Sequence, residues 1–294
     1  MSTDDIPCIA KSELEVLSQE IDDEQGFYRV RSKHRVYYLV IARNTYDEDT
    51  MCRPYLLIPA LPDFPNSEWV TMQISRNPDG SLQSTLSYEA LPAVQRLSHH
   101  RQINILSLKR VEYLGTNVYE VLFEGRPAIE KIARWSWEIP RSQNETRAYS
   151  IISQYHRKYP DVPPIAPRFL GHLIKNGRAM GILLEKIDED SASMEDLAGC
   201  EEVVGKIHAM WLIHGDVNRY NFIIGRSGDG DIVRMVDFEH VEDYEDEAAC
   251  VELEALPFEL AEETGRGGPG REWMMSDSEW DIYGCADCWW PLFC

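Results

Sequence analysis

The 294-residue chain lacks any apolar run of about 18 residues, the length that a membrane-spanning helix requires. Its first residues, MSTDDIPCIAKSELEVL, also lack the basic start and apolar stretch of a secretory signal. We therefore expect no membrane partner and a cytoplasmic protein, with the nucleus as the alternative location. The 44% hydrophobic content is ordinary for a globular protein, so the chain can bury a substantial core.

The chain is poor in positive charge, with 29 Lys and Arg against 50 Asp and Glu, and its formal net charge is −21. Binding to nucleic acids or anionic membranes needs clustered cations, so we predict neither partner. A local basic pocket for a nucleotide remains compatible with this composition. The acidic run over residues 242–247 is most simply a solvated surface.

Paired cysteine motifs are nearly absent from the sequence. Its seven cysteines are scattered, and without a secretory signal we expect reduced thiols rather than a disulfide framework. Cys285 and Cys288 form one CxxC, but no second CxxC or HxxxH completes a zinc site. Residues 266–294 are therefore interpreted as a C-terminal tail, rich in aromatic residues, that packs on the domain before it or binds a protein partner.

The first hundred residues are typical of β-structure. Residues 35–42 are β-branched and aromatic, and residues 69–75 alternate apolar and polar side chains. The turn sequence Asn77-Pro-Asp-Gly80 follows, and the alternation continues beyond it, which predicts a hairpin. We assign residues 1–104 to a β-rich extension that carries no evident chemistry and offers a surface for a protein partner.

A more regular pattern begins near residue 106 and predicts two further regions. In the first, 105–190, three short strands precede a helix over 144–159, and Asn176-Gly177 joins two more strands in a hairpin. In the second, 191–265, a helix over 194–210 leads into the loop HGDVNRYN, two strands and a helix over 246–263. The elements of these two regions indicate an α+β fold.

Four short motifs fall in order along these elements: PAIEK, ETRAY, HGDVNRYN and VDFE. Together they resemble the protein-kinase-like fold superfamily over about residues 106–265. His-Gly-Asp and Asp-Phe-Glu are similar to the motifs of its atypical, aminoglycoside-phosphotransferase-like branch. The sequence of the whole region resembles a set of fungal kinase-like proteins of uncharacterised activity. The resemblance implies a two-lobed fold: a β-rich N-lobe with one helix, then a small, mainly helical C-lobe.

The resemblance also implies a role for each matching residue. Asp216 would accept a proton from a substrate hydroxyl, Asn221 and Asp237 would hold Mg²⁺, and Lys131 would contact the phosphates of ATP. Further nucleotide-binding residues would be Glu145 as the partner of Lys131, Gly115 in the phosphate-binding turn, and the backbone of Glu185 and Ile187 at the adenine.

Each of these residues also has a structural interpretation. An Asp and an Asn in a turn are often local hydrogen-bonding groups, and a lone Lys on a strand is usually solvated. Ser142-Gln-Asn-Glu145 fits a capping box, in which Glu145 would cap a helix rather than pair with Lys131. His214 is assigned a structural role in the loop, and His208 is interpreted as a packed side chain.

Two features depart from the pattern of the family. The turn LGTNVY contains only Gly115, although backbone cradling of phosphates favours several glycines. Trp211 stands between helix and loop where a left-handed glycine is expected, which implies a different turn. Two hypotheses follow: an ATP- and Mg²⁺-dependent phosphotransferase that acts on a hydroxyl of a protein or small molecule, or a catalytically inactive kinase-like nucleotide-binding or scaffold module.

Overall fold

A computed structural model describes residues 7–187, 190–225 and 232–265 of the chain. It is a mixed structure of α-helices and β-sheets, and it separates into one compact unit up to Leu91 and a second from Pro92 onward. The sequence places a boundary later, after residue 104. The division comes earlier because residues 102–104 pair with a strand of the second unit. The predicted tail, 266–294, with its CxxC, lies outside the described residues.

The first unit contains a five-stranded sheet with strand order β2-β3-β4-β6-β7 and a separate β1-β5 pair. Its strands are β1 (Cys8–Ile9), β2 (Leu14–Ile21), β3 (Gln25–Ser32), β4 (Arg35–Ala42), β5 (Phe64–Pro65), β6 (Thr71–Arg76) and β7 (Leu82–Ser87). The predicted hairpin is confirmed, since β6 and β7 pair antiparallel across the turn at Asn77–Gly80.

Two short helices, α1 (Glu48–Cys52) and α2 (Pro54–Ala60), also lie in the first unit and were not predicted. Asp47 caps α1 by accepting a hydrogen bond from the Thr50 N–H at 2.8 Å. Leu57 of α2 is fully buried in the core of this unit, beside Phe64 and Trp69. Helices this short carry too few turns for their periodicity to stand out in the sequence.

The second unit begins with a six-stranded sheet of strand order β8-β12-β13-β11-β10-β9. Its strands are β8 (Gln102–Asn104), β9 (Lys109–Gly115), β10 (Val118–Phe123), β11 (Arg126–Ile132), β12 (Phe169–Lys175) and β13 (Arg178–Glu185). The Asn176-Gly177 hairpin is confirmed, because Lys175 pairs with Arg178 and both turn residues have positive φ.

One long helix, α3 (Ile139–Lys158), follows β11. It begins before the predicted start at residue 144, because Pro140 occupies its first turn and a short 3-10 helix (Ser136–Glu138) leads into it. Glu138 accepts a hydrogen bond from the Trp135 N–H at 2.8 Å. The turn that leads into the helix therefore lies at these residues and not at residue 142, where the sequence predicts it. Glu145 consequently lies in the second turn of the helix.

The rest of the second unit surrounds the loop 214–221. Its helices are α4 (Leu197–Ala209) and α5 (Asp246–Leu260), and its strands are β14 (Asp190–Ser191), β15 (Leu212–Ile213), β16 (Phe222–Gly225), β17 (Ile232–Met235) and β18 (Glu242–Asp243). β15 pairs with β18, and β16 pairs with β14 and β17. Within the described ranges, no helix has both the length and the apolarity needed to cross a bilayer.

Candidate active site

The loop 214–221 is fixed at its first residue by His214, which is fully buried. Its Nε2 lies 2.9 Å from the Val236 carbonyl oxygen, and its Nδ1 accepts from the Asp216 N–H at 3.3 Å. These partners require a neutral ring with the proton on Nε2. Burial lowers the pKa of His214, which favours the same form. His214 thus holds the loop backbone, the structural role that the sequence predicts for it.

Asp216 and Asn221 form the polar centre of this loop. The Asn221 Nδ2 donates to the Asp216 backbone oxygen at 2.8 Å and to its carboxylate Oδ2 at 3.1 Å. Asn218 closes the loop by accepting from the Tyr220 N–H at 3.0 Å. The Asp216 carboxylate is therefore held in a fixed orientation while remaining only half-buried.

Lys131, on β11, is the cation that joins the predicted site residues. Its Nζ lies 2.8 Å from Oε1 of Glu145 and 2.7 Å from Oδ1 of Asp237. The Glu145 side chain is 2% exposed and lies in the interior of α3, so it is an ion-pair partner and not a helix cap. The capping interpretation of Glu145 is therefore wrong, because the helix starts a full turn and more before residue 145.

A third carboxylate, that of Glu239, lies 3.2 Å from the same nitrogen. The sequence contains Glu239 within VDFE, but no role was predicted for it. These three carboxylates raise the pKa of Lys131 well above its ordinary value despite the opposing effect of burial, so this amine stays charged. The only sequence signal for this contact is the negative charge of Glu239 itself, two residues after Asp237.

Burial and the charge of Lys131 shift the pKa values of Glu145 and Asp237 in opposite directions. Burial raises the pKa of Glu145 to about 7, against the lowering effect of Lys131. The pKa of Asp237 is lowered, because the attraction of Lys131 outweighs the opposing effect of burial. Divergent pKa values of neighbouring acids are typical of functional sites. Asp237 is the group that stays ionised at neutral pH.

Asn221 and Asp237 are brought together by the β16–β17 hairpin. The Val236 N–H donates to the Asn221 carbonyl oxygen at 2.9 Å, which places the loop end beside Asp237. Asp237 has φ 65° and ψ 57°, a left-handed conformation that Asp tolerates better than most residues. Such strained backbone persists at functional sites when the surrounding structure imposes it.

The predicted nucleotide-binding turn joins β9 and β10. Gly115 has φ +156°, Asn117 has φ +66°, and a Cβ placed on Gly115 would meet nothing within 4 Å. The Asn117 Nδ2 donates to the Glu138 carboxylate at 2.6 Å, which ties the turn to the start of α3. The turn is thus open at Gly115 and anchored at Asn117.

The predicted adenine-binding segment begins at Glu185, the last residue of β13. The Glu185 N–H donates to the Arg168 carbonyl oxygen at 2.9 Å, so it is not available to a purine while that bond is kept. Adenine binding by other backbone groups of Glu185 and Ile187 stays a prediction, and Ile187 is half-buried. Lys186, between them, forms an ion pair with Glu120 at 2.7 Å.

Glu252, on α5, is a site residue that the sequence did not identify. Its carboxylate accepts from the Gly215 N–H at 2.6 Å and the His214 N–H at 3.3 Å, and lies 2.8 Å from His208 Nε2. His208 is therefore hydrogen-bonded between two helices rather than only packed. An acidic residue on a strongly acidic helix gives no local signal that it is buried, so only the fold could reveal it.

Comparison of the sequence with family models and with curated proteins assigns no relative to this chain. No family model matches it, and no curated protein matches it.

Proposed function

We propose that this protein is an ATP-dependent phosphotransferase that moves the γ-phosphate of ATP to a hydroxyl group of a protein Ser or Thr or of a small molecule. We further propose that its second unit has the two-lobed protein-kinase-like fold that the motifs resemble. The observation that carries the proposal is the ion-pair cluster on Lys131, whose Nζ contacts both Glu145 and Asp237. Asp237 lies 106 residues after Lys131 in the sequence, and the contact between them supports the roles that their motifs imply.

Asp216 would act as the base at the acceptor hydroxyl. Phosphoryl transfer depends mainly on positioning and charge stabilisation, with a carboxylate near the attacking oxygen. The two contacts from Asn221 Nδ2 orient the Asp216 carboxylate, and its partial exposure leaves it accessible to a substrate.

Lys131 would bind the α- and β-phosphates of the nucleotide. A lysine ammonium is a compact cation that suits this task, and Glu145 fixes its position from the buried side. The open turn at Gly115 would place backbone N–H groups beside the phosphates, and the segment at Glu185 and Ile187 would lie beside the adenine.

The residues at the end of the β16–β17 hairpin fit a bound Mg²⁺. The Asn221 side-chain nitrogen Nδ2 donates to Asp216, which leaves the side-chain oxygen Oδ1 to a cation, and Asp237 supplies an ionised carboxylate. Oxygen atoms of this kind are preferred by Mg²⁺, which often uses only one or two protein carboxylates together with phosphates and water. Among the described residues, no group of three or more His, Cys, Asp or Glu is arranged so that it could hold a metal ion by itself, and such a site needs none. When bound, Mg²⁺ would neutralise charge on the phosphates.

A second candidate function is a catalytically inactive nucleotide-binding or scaffold module. The contact between Glu239 and Lys131 favours it, because a third carboxylate competes with phosphates for the cation. The single glycine in the β9–β10 turn favours it as well, since it limits close backbone contacts with phosphate.

Incubation with labelled ATP and Mg²⁺ tests the proposal, with Ser- and Thr-containing peptides, aminoglycosides and choline as acceptors. We expect transfer by the wild type and a loss of about 10²- to 10⁴-fold in Asp216→Asn. Asp161→Asn, an exposed site on the loop after α3, should leave the rate unchanged. Equal turnover in wild type and Asp216→Asn would remove Asp216 from the mechanism.

A thermal-shift measurement with ATP and Mg²⁺ separates the two candidates. A ligand that binds the folded state raises its melting temperature by mass action. A shift in both wild type and Asp216→Asn without transfer would favour the inactive module. No shift at millimolar nucleotide would contradict nucleotide binding altogether.

A further inference from the structure

Trp211, between α4 and β15, is a strained and exposed aromatic residue. It has φ +62°, a left-handed conformation that is an outlier for a bulky residue, and it is 74% exposed. Its N–H donates to the His208 carbonyl oxygen at 2.9 Å, and its carbonyl oxygen accepts from the Tyr244 N–H at 3.1 Å. The turn is therefore the one that glycine adopts without strain, and the sequence-based expectation of a different turn is wrong. A large ring kept at such a position, with little burial to stabilise it, indicates a role at the surface.

Trp211 forms one wall of a groove of about 690 Å³ whose lining includes no residue of the Lys131 cluster. The Tyr244 ring lies 5.5 Å from the Trp211 ring at 83°, so the two rings stand perpendicular. The groove is lined by His208, Ala209, Trp211, Tyr244, Glu245 and Asp246. Two aromatic faces at right angles, beside two carboxylates, create a corner suited to a cation.

The charges around this groove are mostly negative. Glu245 and Asp246 are exposed at its edge. The basic groups nearby are already paired, as His208 contacts Glu252, Lys206 contacts Glu202 and Arg147 contacts Asp243. The groove therefore attracts a positively charged group and repels an anion.

We propose that the Trp211 groove binds a lysine or arginine side chain from a basic segment of another protein. The side chain would lie on the Trp211 ring, and the carboxylates of Glu245 and Asp246 would accept hydrogen bonds from its nitrogens. A second copy of this chain is a poor partner, because its net charge of −21 opposes association. The proposal does not depend on phosphotransfer, since the groove contains none of the residues assigned to that reaction.

Fluorescence anisotropy with the full-length protein tests this inference, using a labelled peptide of alternating arginine and glycine. The matched probe replaces each arginine by citrulline, which keeps the shape and removes the charge. At about 0.15 M ionic strength, where distant charges are screened, we expect the wild type to bind the arginine peptide at least tenfold more tightly. Equal binding of the two peptides, or no binding of either, would overturn the proposal.

Trp211→Gly removes the ring and relieves the strained turn, so it preserves the fold. We expect it to weaken binding of the arginine peptide about fivefold, and Trp211→Leu to do the same, because leucine offers no aromatic face. A thermal melt of each variant verifies folding. Unchanged affinity in Trp211→Gly would exclude the ring from the site.

The role of the carboxylates is tested by Glu245→Gln, with Glu195→Gln as its control. Glu195 is also exposed but lies at the opposite end of α4. We expect weaker binding of the arginine peptide only in Glu245→Gln. An equal loss in both variants would indicate diffuse attraction by the acidic surface and would contradict a defined site.

Discussion

At the scale of single residues, Lys131 shows how strongly one side chain can organise a site. Its side chain is 11% exposed, and its ammonium group contacts Glu145, Asp237 and Glu239. One cation cannot neutralise three carboxylates, so the cluster carries excess negative charge. A bound cation, or movement of one carboxylate away from Lys131, would reduce this excess negative charge.

Glu239→Gln tests whether the third carboxylate opposes nucleotide binding. Removing its charge leaves Lys131 more available to phosphates, so we expect affinity for ATP with Mg²⁺ to rise by up to about fivefold, measured by calorimetry. Glu242→Gln, a nearby exposed carboxylate on β18, should have no such effect. Weaker binding by Glu239→Gln would mean that Glu239 contributes to the site instead of competing for Lys131.

Gly215 is a second residue whose identity is fixed by the structure. Its φ is +82°, and a Cβ added there would lie 2.3 Å from the His240 carbonyl oxygen. We expect Gly215→Ala to lower the free energy of unfolding by about 2–4 kcal/mol, through overpacking and backbone strain. Chemical denaturation measures this change.

Gly205→Ala is the matched control for that measurement. Gly205 lies inside α4, and a Cβ there would meet nothing within 4 Å. Alanine is the better helix former, so this variant should gain about 0.5–1 kcal/mol. If both variants changed stability in the same direction, the steric argument for Gly215 would be wrong.

At the scale of secondary-structure elements, α5 acts as the support of the loop 214–221. Glu252 receives hydrogen bonds from two successive loop amides and contacts His208 of α4, so one buried carboxylate connects two helices and the loop. A loop held in this way can keep Asp216 oriented without help from a substrate.

Glu252→Ala should therefore loosen the loop as well as destabilise the fold. It leaves the buried His214 N–H and the partly buried Gly215 N–H without their acceptor, and we expect a loss of about 2–4 kcal/mol in the free energy of unfolding. Hydrogen exchange should show faster exchange of the His214 and Gly215 amides. Glu254→Ala, an exposed site on the same helix, should change neither quantity, and unchanged exchange in Glu252→Ala would remove Glu252 as the support.

At the scale of the whole molecule, stability should depend on pH through buried histidines. His172 is fully buried, and its Nε2 accepts from the N–H groups of Ser98 and His99 at 3.1 and 3.2 Å. Burial lowers the pKa of His172 to about 4, below its ordinary value of about 6.5. Between these two pH values, His172 is therefore protonated in the unfolded chain and neutral in the folded chain.

The sign of the effect follows from that difference. Protonation favours the unfolded state, so the free energy of unfolding should fall by about 2 kcal/mol as the pH drops from about 6.5 to about 4. His172→Gln, which still offers an acceptor oxygen, should reduce this slope in urea titrations across that pH range. Exposed His34→Gln should keep the wild-type slope, and an unchanged slope in His172→Gln would refute the assignment.

Much of the local structure could be predicted because it depends on neighbouring residues. The turns at Asn77–Gly80 and Asn176-Gly177 form where their sequences predict, since Asn and Gly tolerate the backbone angles that such turns need. The start of α3 was not predicted, because Ser142-Gln-Asn-Glu145 matches a capping box while Pro140 and Glu138 begin the helix earlier. A local pattern cannot show which of two competing starts the surrounding structure stabilises.

The sequence by itself determined the kinds of polar group, their order and the elements that carry them: a lysine on a strand, an acid on a helix, and an Asp and Asn on one loop. Only the tertiary structure decided which of them meet. Lys131 reaches Glu145, Asp237 and Glu239, Glu252 supports the loop, and Trp211 stands against Tyr244. The reason is that periodicity and turn chemistry act over a few residues, whereas burial and ion pairing depend on the packing of elements far apart in the chain.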